Sequence, residues 1–255
     1  MTRLVFLFTA FPAWRAFLLT IGVLGFVGST DSPGLSAENR GLLPSLLGSC
    51  RTSLAGSSYE RITNIRKAVE KINGVILQPG EEFLYNRCVG PRRYKTGFLP
   101  APAIVFGNLK PVIWGGICQV SSTLYNAVLL SDLTVVERHR HHTPVNYLPL
   151  GLDATISWGA KDFRFRNTRP GKIELVGTVS DETLLFEIYG ENPLKDDLRL
   201  ETEIEESPSP FAEEESVKAI EITVYRVRER QGKPIEKEYL YKDFYPARIL
   251  ITEDE

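Results

Sequence analysis

The stretch Ile113–Leu130, "IWGGICQVSSTLYNAVLL", decides how this chain is read. Val120, Leu124 and Val128 recur at four-residue spacing, which predicts a helix from about Cys118 to Leu130. Gly115-Gly116 stands just ahead of it, letting the backbone turn sharply and leaving room for a substrate chain. Cys118 therefore falls at a helix N-terminus, where unpaired N–H groups and the helix dipole favour a thiolate. Two readings are open at this point. Cys118 is a nucleophile, with nearby backbone N–H groups and the Gln119 amide as an oxyanion hole, or a small apolar residue buried after a tight turn.

Upstream of this helix, Ser57 and Glu60 fit a Ser-x-x-Glu capping box, and Ile62, Ile65, Val69 and Ile72 mark one apolar face. Asn73-Gly74 is a stop signal. "VILQPGEEFLY", Val75–Tyr85, reads as strand, Pro79-Gly80 turn and strand, and the Gly- and Pro-rich Val89–Pro111 as a loop over the domain. Downstream, Val135–Tyr147 reads as a strand broken by Pro144, and Ala154, Ile156 and Trp158 alternate on one face. Lys172–Tyr189 predicts a hairpin turning near Ser180-Asp181. Glu201–Ser216 holds seven glutamates and two prolines, so it reads as a solvated linker or edge and not as a metal site. Ile220, Ile222 and Val224 then alternate, "RQGKP" turns and "IEKEYLYKDFY" returns as a last hairpin. The expected class is α+β: a mainly antiparallel sheet packed with a few helices, with a C-terminal β-hairpin extension. The expected divisions are 1–37, 38–195, 196–216 and 217–255.

Composition narrows the functions. A net charge of -2 argues against nucleic acid as a partner, and 43% apolar residues over 255 positions are enough to bury a core. Arg3 and Arg15 precede an apolar run from Ala16 to Gly28, followed by small residues around Leu35-Ser36-Ala37. That is the layout of a secretory signal, or of a membrane anchor if uncleaved, and places the protein in the envelope or periplasm. Membrane contact is expected only through this segment, and the oligomeric state stays open. In an oxidising compartment Cys50 and Cys88 either pair or are plainly buried. No phosphate-binding glycine loop or dinucleotide fingerprint occurs, so no cofactor is expected.

All three histidines fall in "ERHRHH", as His139, His141 and His142. On a strand, His139 and His141 share a face. A helix-start Cys beside a strand-borne His is an arrangement used by many cysteine acyl-transfer enzymes. A solvated strand or a metal site with Cys118 are the alternatives.

"INGVILQPGEEFLYN", "VGPRR", "GGICQVSSTLYNAVL" and "ERHRHHTPVNYLPLGLDATISWGAKDFRFRN", in this order over about Cys50–Tyr189, resemble the VanW family. The family usually shows three glycines where this chain has Trp114-Gly115-Gly116, and His-Ser at His141-His142. The resemblance implies an envelope protein acting on peptidoglycan stem peptides. In some members it implies an L,D-transpeptidase that forms a thioester on its Cys. Carried onto this sequence, Cys118 is the nucleophile, His141 its base, His139 a reserve base, and Asp153 or Asp162 orients the imidazole. Gln119, Ser121 and Ser122 contact substrate or cap the helix, while Arg138, Tyr147 and Arg164 hold stem carboxylates or are structural. A papain-like peptidoglycan hydrolase and a non-catalytic wall-associated module are the competing functions, and a metal scaffold comes last.

Overall fold

The computed structural model describes residues 41–105, 108–207, 216–217, 219–246 and 248–249. The signal or anchor expected over 1–37 and positions 208–215 of the acidic run lie outside the described residues. In chain order the elements are β1 (Ser45–Ser53), α1 (Tyr59–Ile72), β2 (Val75–Leu77), β3 (Glu82–Leu84), α2 (Tyr85–Val89), β4 (Ala101–Val105), β5 (Asn108–Val112) and α3 (Ile117–Leu130). Then come β6 (Thr134–Glu137), β7 (Arg164–Arg166), β8 (Ile173–Val179), β9 (Thr183–Gly190), β10 (Asp197–Ser207), β11 (Ser216–Val217), β12 (Ala219–Arg230), β13 (Lys233–Tyr245) and β14 (Arg248–Ile249). All pairing among them is antiparallel: β1-β9-β8-β2, β3-β7-β6 and β10-β12-β13 form sheets, and β4-β5 and β11-β14 are two-stranded. The architecture is α+β, as the sequence predicts.

At the centre lies α3, buried on every side except at Cys118. A helix enclosed all round must satisfy its polar side chains internally, since each orphaned group would cost about 1–3 kcal/mol. Gln119, Ser121, Ser122, Thr123 and Asn126 are all bonded. Its apolar side chains Val120, Leu124 and Val128 join Ile65 and Ile72 of α1 and Phe186 and Ile188 of β9 in one core. Helix α1 is capped by Ser58, one residue later than the sequence suggests, with its hydroxyl accepting from Arg61 N–H at 3.3 Å. It stops at Asn73, and Gly74 carries the positive φ of 78°.

The C-terminal sheet docks on the same core through Leu198, Leu200, Ile222, Val224 and Tyr245. Gly151 makes this contact possible: its φ is 85°, and a Cβ there would sit 2.8 Å from Ile222 Cγ2. Arg226 reaches across to donate to the Leu129 carbonyl at the end of α3, at 3.2 Å.

Three expectations need correction. The strand expected over Val135–Tyr147 ends at Glu137. Arg138 turns inward to meet two carboxylates, and Pro144 and Pro149 have no N–H for a ladder. Trp158 is half exposed and does not share the burial of Ala154 and Ile156. The loop expected over Val89–Pro111 contains the β4-β5 ribbon. The acidic run, expected as a linker or an edge, is an edge through Ser207, where it forms the edge strand β10. All three cysteines are free thiols, so Cys50 and Cys88 do not pair.

Candidate active site

Cys118 is the second residue of α3. Gly116 caps the helix in a left-handed conformation with φ 97° and ψ -20°. A Cβ on Gly115 would lie 2.6 Å from Ala101 O, and one on Gly116 would lie 2.9 Å from Ile65 Cγ1. The two glycines thus seat the helix start against β4 and α1 and leave no gap there for a substrate. Ile117, Gln119 and Val120 N–H groups have carbonyl acceptors, but that of Cys118 has none among the described residues. It is one of the orphan donors of a helix start, beside a half-buried thiol.

Facing it is the segment Leu152–Ile156, fixed by the polar side chains of α3. Asn126 donates to Leu152 O at 2.7 Å, Ser121 to Ala154 O at 2.6 Å, and Ala154 N–H donates to Ser122 Oγ at 2.9 Å. These three bonds hold Asp153, which accepts from the His141 backbone N–H at 2.6 Å and binds its Nδ1 at 2.5 Å. With Nδ1–H committed to the carboxylate, Nε2 is the nitrogen left for Cys118. The thiol lies 3.4 Å from Thr155 Oγ1 and 3.7 Å from Ile156 O, with the His141 imidazole as its further partner.

The electrostatics follow from this row. Burial pushes the Cys118 thiol up, but the hydrogen bond and charge of His141, with Ile156 and Thr155, bring it down to about 7. For His141, burial opposes the charged form, yet Asp153 and Cys118 raise it to about 9. Asp153 is itself 2% exposed, and despite that burial His141 and Arg138 hold it below the usual carboxylate range. Between those two values the favoured form is a thiolate beside an imidazolium.

A second layer comes from the last long strand. Arg138 donates to both Asp243 oxygens at 2.8 and 2.7 Å, to Asp153 Oδ1 at 3.1 Å, and to the Asp153 and Gly151 carbonyls. Its guanidinium lies over the rings of Tyr125 and Tyr241. Tyr245 donates to Asp153 Oδ1 at 3.4 Å. Arg138, Asp243 and Tyr245 therefore hold the carboxylate that holds the imidazole.

The structure brings Cys118, His141 and Asp153 together and sends other candidates elsewhere. His139 pairs with Glu137 at 2.9 Å, so it does not share a face with His141 toward the thiol. Gln119 uses its amide on Thr52 and Ser53 and its oxygen on Arg61, away from an oxyanion. Ser121 and Ser122 clamp the Asp153 segment. Arg138 is committed to Asp153 and Asp243, and Arg164 to Asp162 and Glu137. Asp162 accepts the Asn86 and Phe163 N–H groups, so it braces β7 and α2. Thr155, Asp243, Tyr245 and Arg61 are near the site and were not singled out in the sequence. Among the described residues no group of three or more His, Cys, Asp or Glu is placed to hold a metal. A cavity of about 390 Å³ between β1 and the start of β10 is remote from this chemistry and is lined chiefly by leucines and charged side chains.

The family model described as "VanW like protein" matches residues 60–189, which include the whole Cys118–His141–Asp153 row. The chain belongs to the VanW family. It is 37% identical over 168 residues to the uncharacterized protein YoaR of Bacillus subtilis (strain 168), covering 66% of this chain and 54% of that protein. It is 28% identical over 136 residues to the vancomycin B-type resistance protein VanW of Enterococcus faecalis (strain ATCC 700802 / V583), covering 51% and 50%. The chain thus spans about half the length of these curated relatives. No solved structure matches it significantly. The VanW span supplies the thiol, imidazole and Asp153, while Asp243 and Tyr245 lie beyond it.

Proposed function

We propose that this VanW-family chain is a cysteine acyltransferase of the cell envelope that acts on peptidoglycan stem peptides as an L,D-transpeptidase. The observation that carries this reading is the Cys118–His141–Asp153 row, with the thiol at about 7 and the imidazole at about 9. The Cys118 thiolate attacks the carbonyl carbon of the L,D-peptide bond, forming a C–S bond. Negative charge moves to the carbonyl oxygen, where the Cys118 N–H is the available donor. His141 gives its proton to the nitrogen of the expelled D-residue as the C–N bond breaks, leaving a thioester. An amine of a neighbouring stem then attacks, His141 takes its proton, and the thiolate departs. The rate should be highest between about pH 7 and 9, falling below as the thiolate is protonated and above as the imidazolium loses its proton. The envelope assignment is supported by the basic start and apolar run of Met1–Gly28.

The test is a muropeptide analysis by liquid chromatography and mass spectrometry after incubating the full chain with tetrapeptide-bearing peptidoglycan. Cross-linked dimers that have lost the terminal D-residue, absent with Cys118→Ala and His141→Ala, are the expected products. Trimmed or cleaved monomers would make water the acceptor and the protein a hydrolase. Unchanged muropeptides from folded protein would remove the enzymatic reading and leave a wall-associated module.

A further inference from the structure

The Cys118 row uses one of the three histidines and leaves the other two without a role. His139 and His142 instead line an open cavity of about 250 Å³ together with Arg140 and Lys161. Every side chain lining it is basic, and none of the four belongs to the catalytic row. The cavity adjoins that row through Thr155. Its hydroxyl is 3.4 Å from the Cys118 thiol, and its N–H donates to His139 O at 2.7 Å.

Both walls of the cavity are tied down. Ser157 N–H donates to Lys161 O at 2.8 Å, and Lys161 N–H donates back to Ser157 O at 3.0 Å. Asn86 Nδ2 donates to the same Lys161 carbonyl at 2.8 Å. Glu137 joins the two walls: its Oε1 pairs with His139 Nε2 and accepts the Asp162 N–H, each at 2.9 Å. A site held in this way needs little ordering when a ligand arrives.

Charge is left over in this place. Glu137 pairs with His139 and Arg164, and Asp243 pairs with Arg138, which leaves Arg140 and Lys161 without a carboxylate partner among the described residues. Arg140 donates to His141 O at 2.8 Å and lies over the Tyr245 ring at 4.7 Å, which uses little of its five-donor fork. Basic groups gathered without matching anions repel one another, and a bound anion relieves that cost. A divalent cation is unsuited, because Arg140 and Lys161 offer no acceptor and repel it. A planar carboxylate is filled by one guanidinium fork, whereas donors arriving from two segments suit a tetrahedral anion with more oxygens.

We propose that His139, Arg140, His142 and Lys161 form a phosphate-binding site beside the catalytic row, which takes the phosphoryl group of free phosphate or of a phosphate ester. This goes beyond the acyl-transfer reading and does not depend on it. It also gives the histidine-rich hexapeptide two uses, with His141 serving the thiol and its neighbours serving an anion.

The test uses the scarcity of histidine. The full chain is labelled at histidine Cε1, so that its spectrum carries three signals, each assigned with a single His→Gln variant. Inorganic phosphate is titrated in at fixed pH, with ionic strength held constant by chloride. The His139 and His142 signals should move saturably, and that of His141, held on Asp153, should move less. Arg140→Met should raise the Kd about tenfold or more, the loss of a charge-assisted hydrogen bond. Lys161→Met should raise it about two- to fivefold, as expected for an exposed cation, and carries the test if Arg140→Met fails to fold. A second titration uses glycerophosphoglycerol, a soluble phosphodiester. Tighter binding of phosphate identifies a free or terminal phosphate as the ligand, tighter binding of the diester an internal phosphodiester, and both uphold the site. Signals that move no further than in chloride, movement of His141 alone, or an unchanged Kd in the folded variants would overturn it. The readout needs no turnover, so an inactive Cys118 leaves this result intact.

Discussion

Replacing His141 with alanine tests whether the thiol is armed by its neighbour or by the helix end alone. In the intact site the Cys118 thiol titrates at about 7, although burial opposes ionisation. The leading causes pulling it down are the hydrogen bond and the charge of His141. Without the imidazole, burial is left opposed only by Ile156 and Thr155, so the thiol returns to its ordinary 9.0 or above. At pH 7 the thiolate fraction then falls from about one half to about one hundredth, roughly fiftyfold. A thiol of higher pKa is a better nucleophile once ionised, which at a Brønsted slope of ~0.4–0.5 offsets roughly eightfold of that. The alkylation rate at pH 7 should therefore drop only about sixfold, and the midpoint of the pH profile is the sharper readout. The assay follows iodoacetamide labelling of the Cys118 peptide across pH. Cys50 and Cys88 stay quiet because burial pushes them up to about 12 and about 11. A wild-type midpoint near 9, or the same midpoint in both proteins, would refute the coupling of thiol and imidazole.

Asp153→Asn should lower kcat on a muropeptide donor by about 10²–10⁴ with little change in KM, because it misdirects the His141 proton and does not touch substrate binding. Steady-state kinetics check this, and a change confined to KM would count against it. Gly116→Ala places a Cβ at φ 97° and 2.9 Å from Ile65, so urea unfolding should show a loss of roughly 2–4 kcal/mol. A loss within measurement error would mean that the α3 start relaxes freely. Tyr147→Phe should raise unfolding stability by roughly 1 kcal/mol, since an unpartnered buried hydroxyl is removed. Urea titration would show the opposite sign if that hydroxyl were bonded in the resting protein.

What could be read along the chain was what depends on neighbours a few residues apart. The four-residue spacing of Val120, Leu124 and Val128 located α3, and alternation located β8-β9 and β12-β13. His141 could be named because the chain has only three histidines, all in one hexapeptide, while Asp153 could only be named beside Asp162. Local rules failed where distant contacts decide. The histidine segment looked like strand because Val135 and Val136 begin one, but Arg138 leaves the ladder for a carboxylate 105 positions away. Gln119, Ser121 and Ser122 were open to two local readings, substrate contact or helix cap, because polar residues beside a nucleophile at a helix start invite both. They are used inside the protein because α3 is enclosed and its partners in β1 and Leu152–Ala154 are supplied by the fold. Arg61 gave no signal in sequence, since its partner Gln119 lies 58 positions away.

The docking of β13 also sets an order of events in time. Arg138 and Asp153 are made well before Asp243 and Tyr245, so during synthesis the guanidinium spends an interval with one of its two carboxylates missing. The hold of Asp243 and Tyr245 on the Arg138–Asp153 pair that orients His141 comes only once β13 has docked. A growing chain that has not yet reached β13 would thus carry a less firmly held imidazole, and the rigidity of this row arrives late in synthesis.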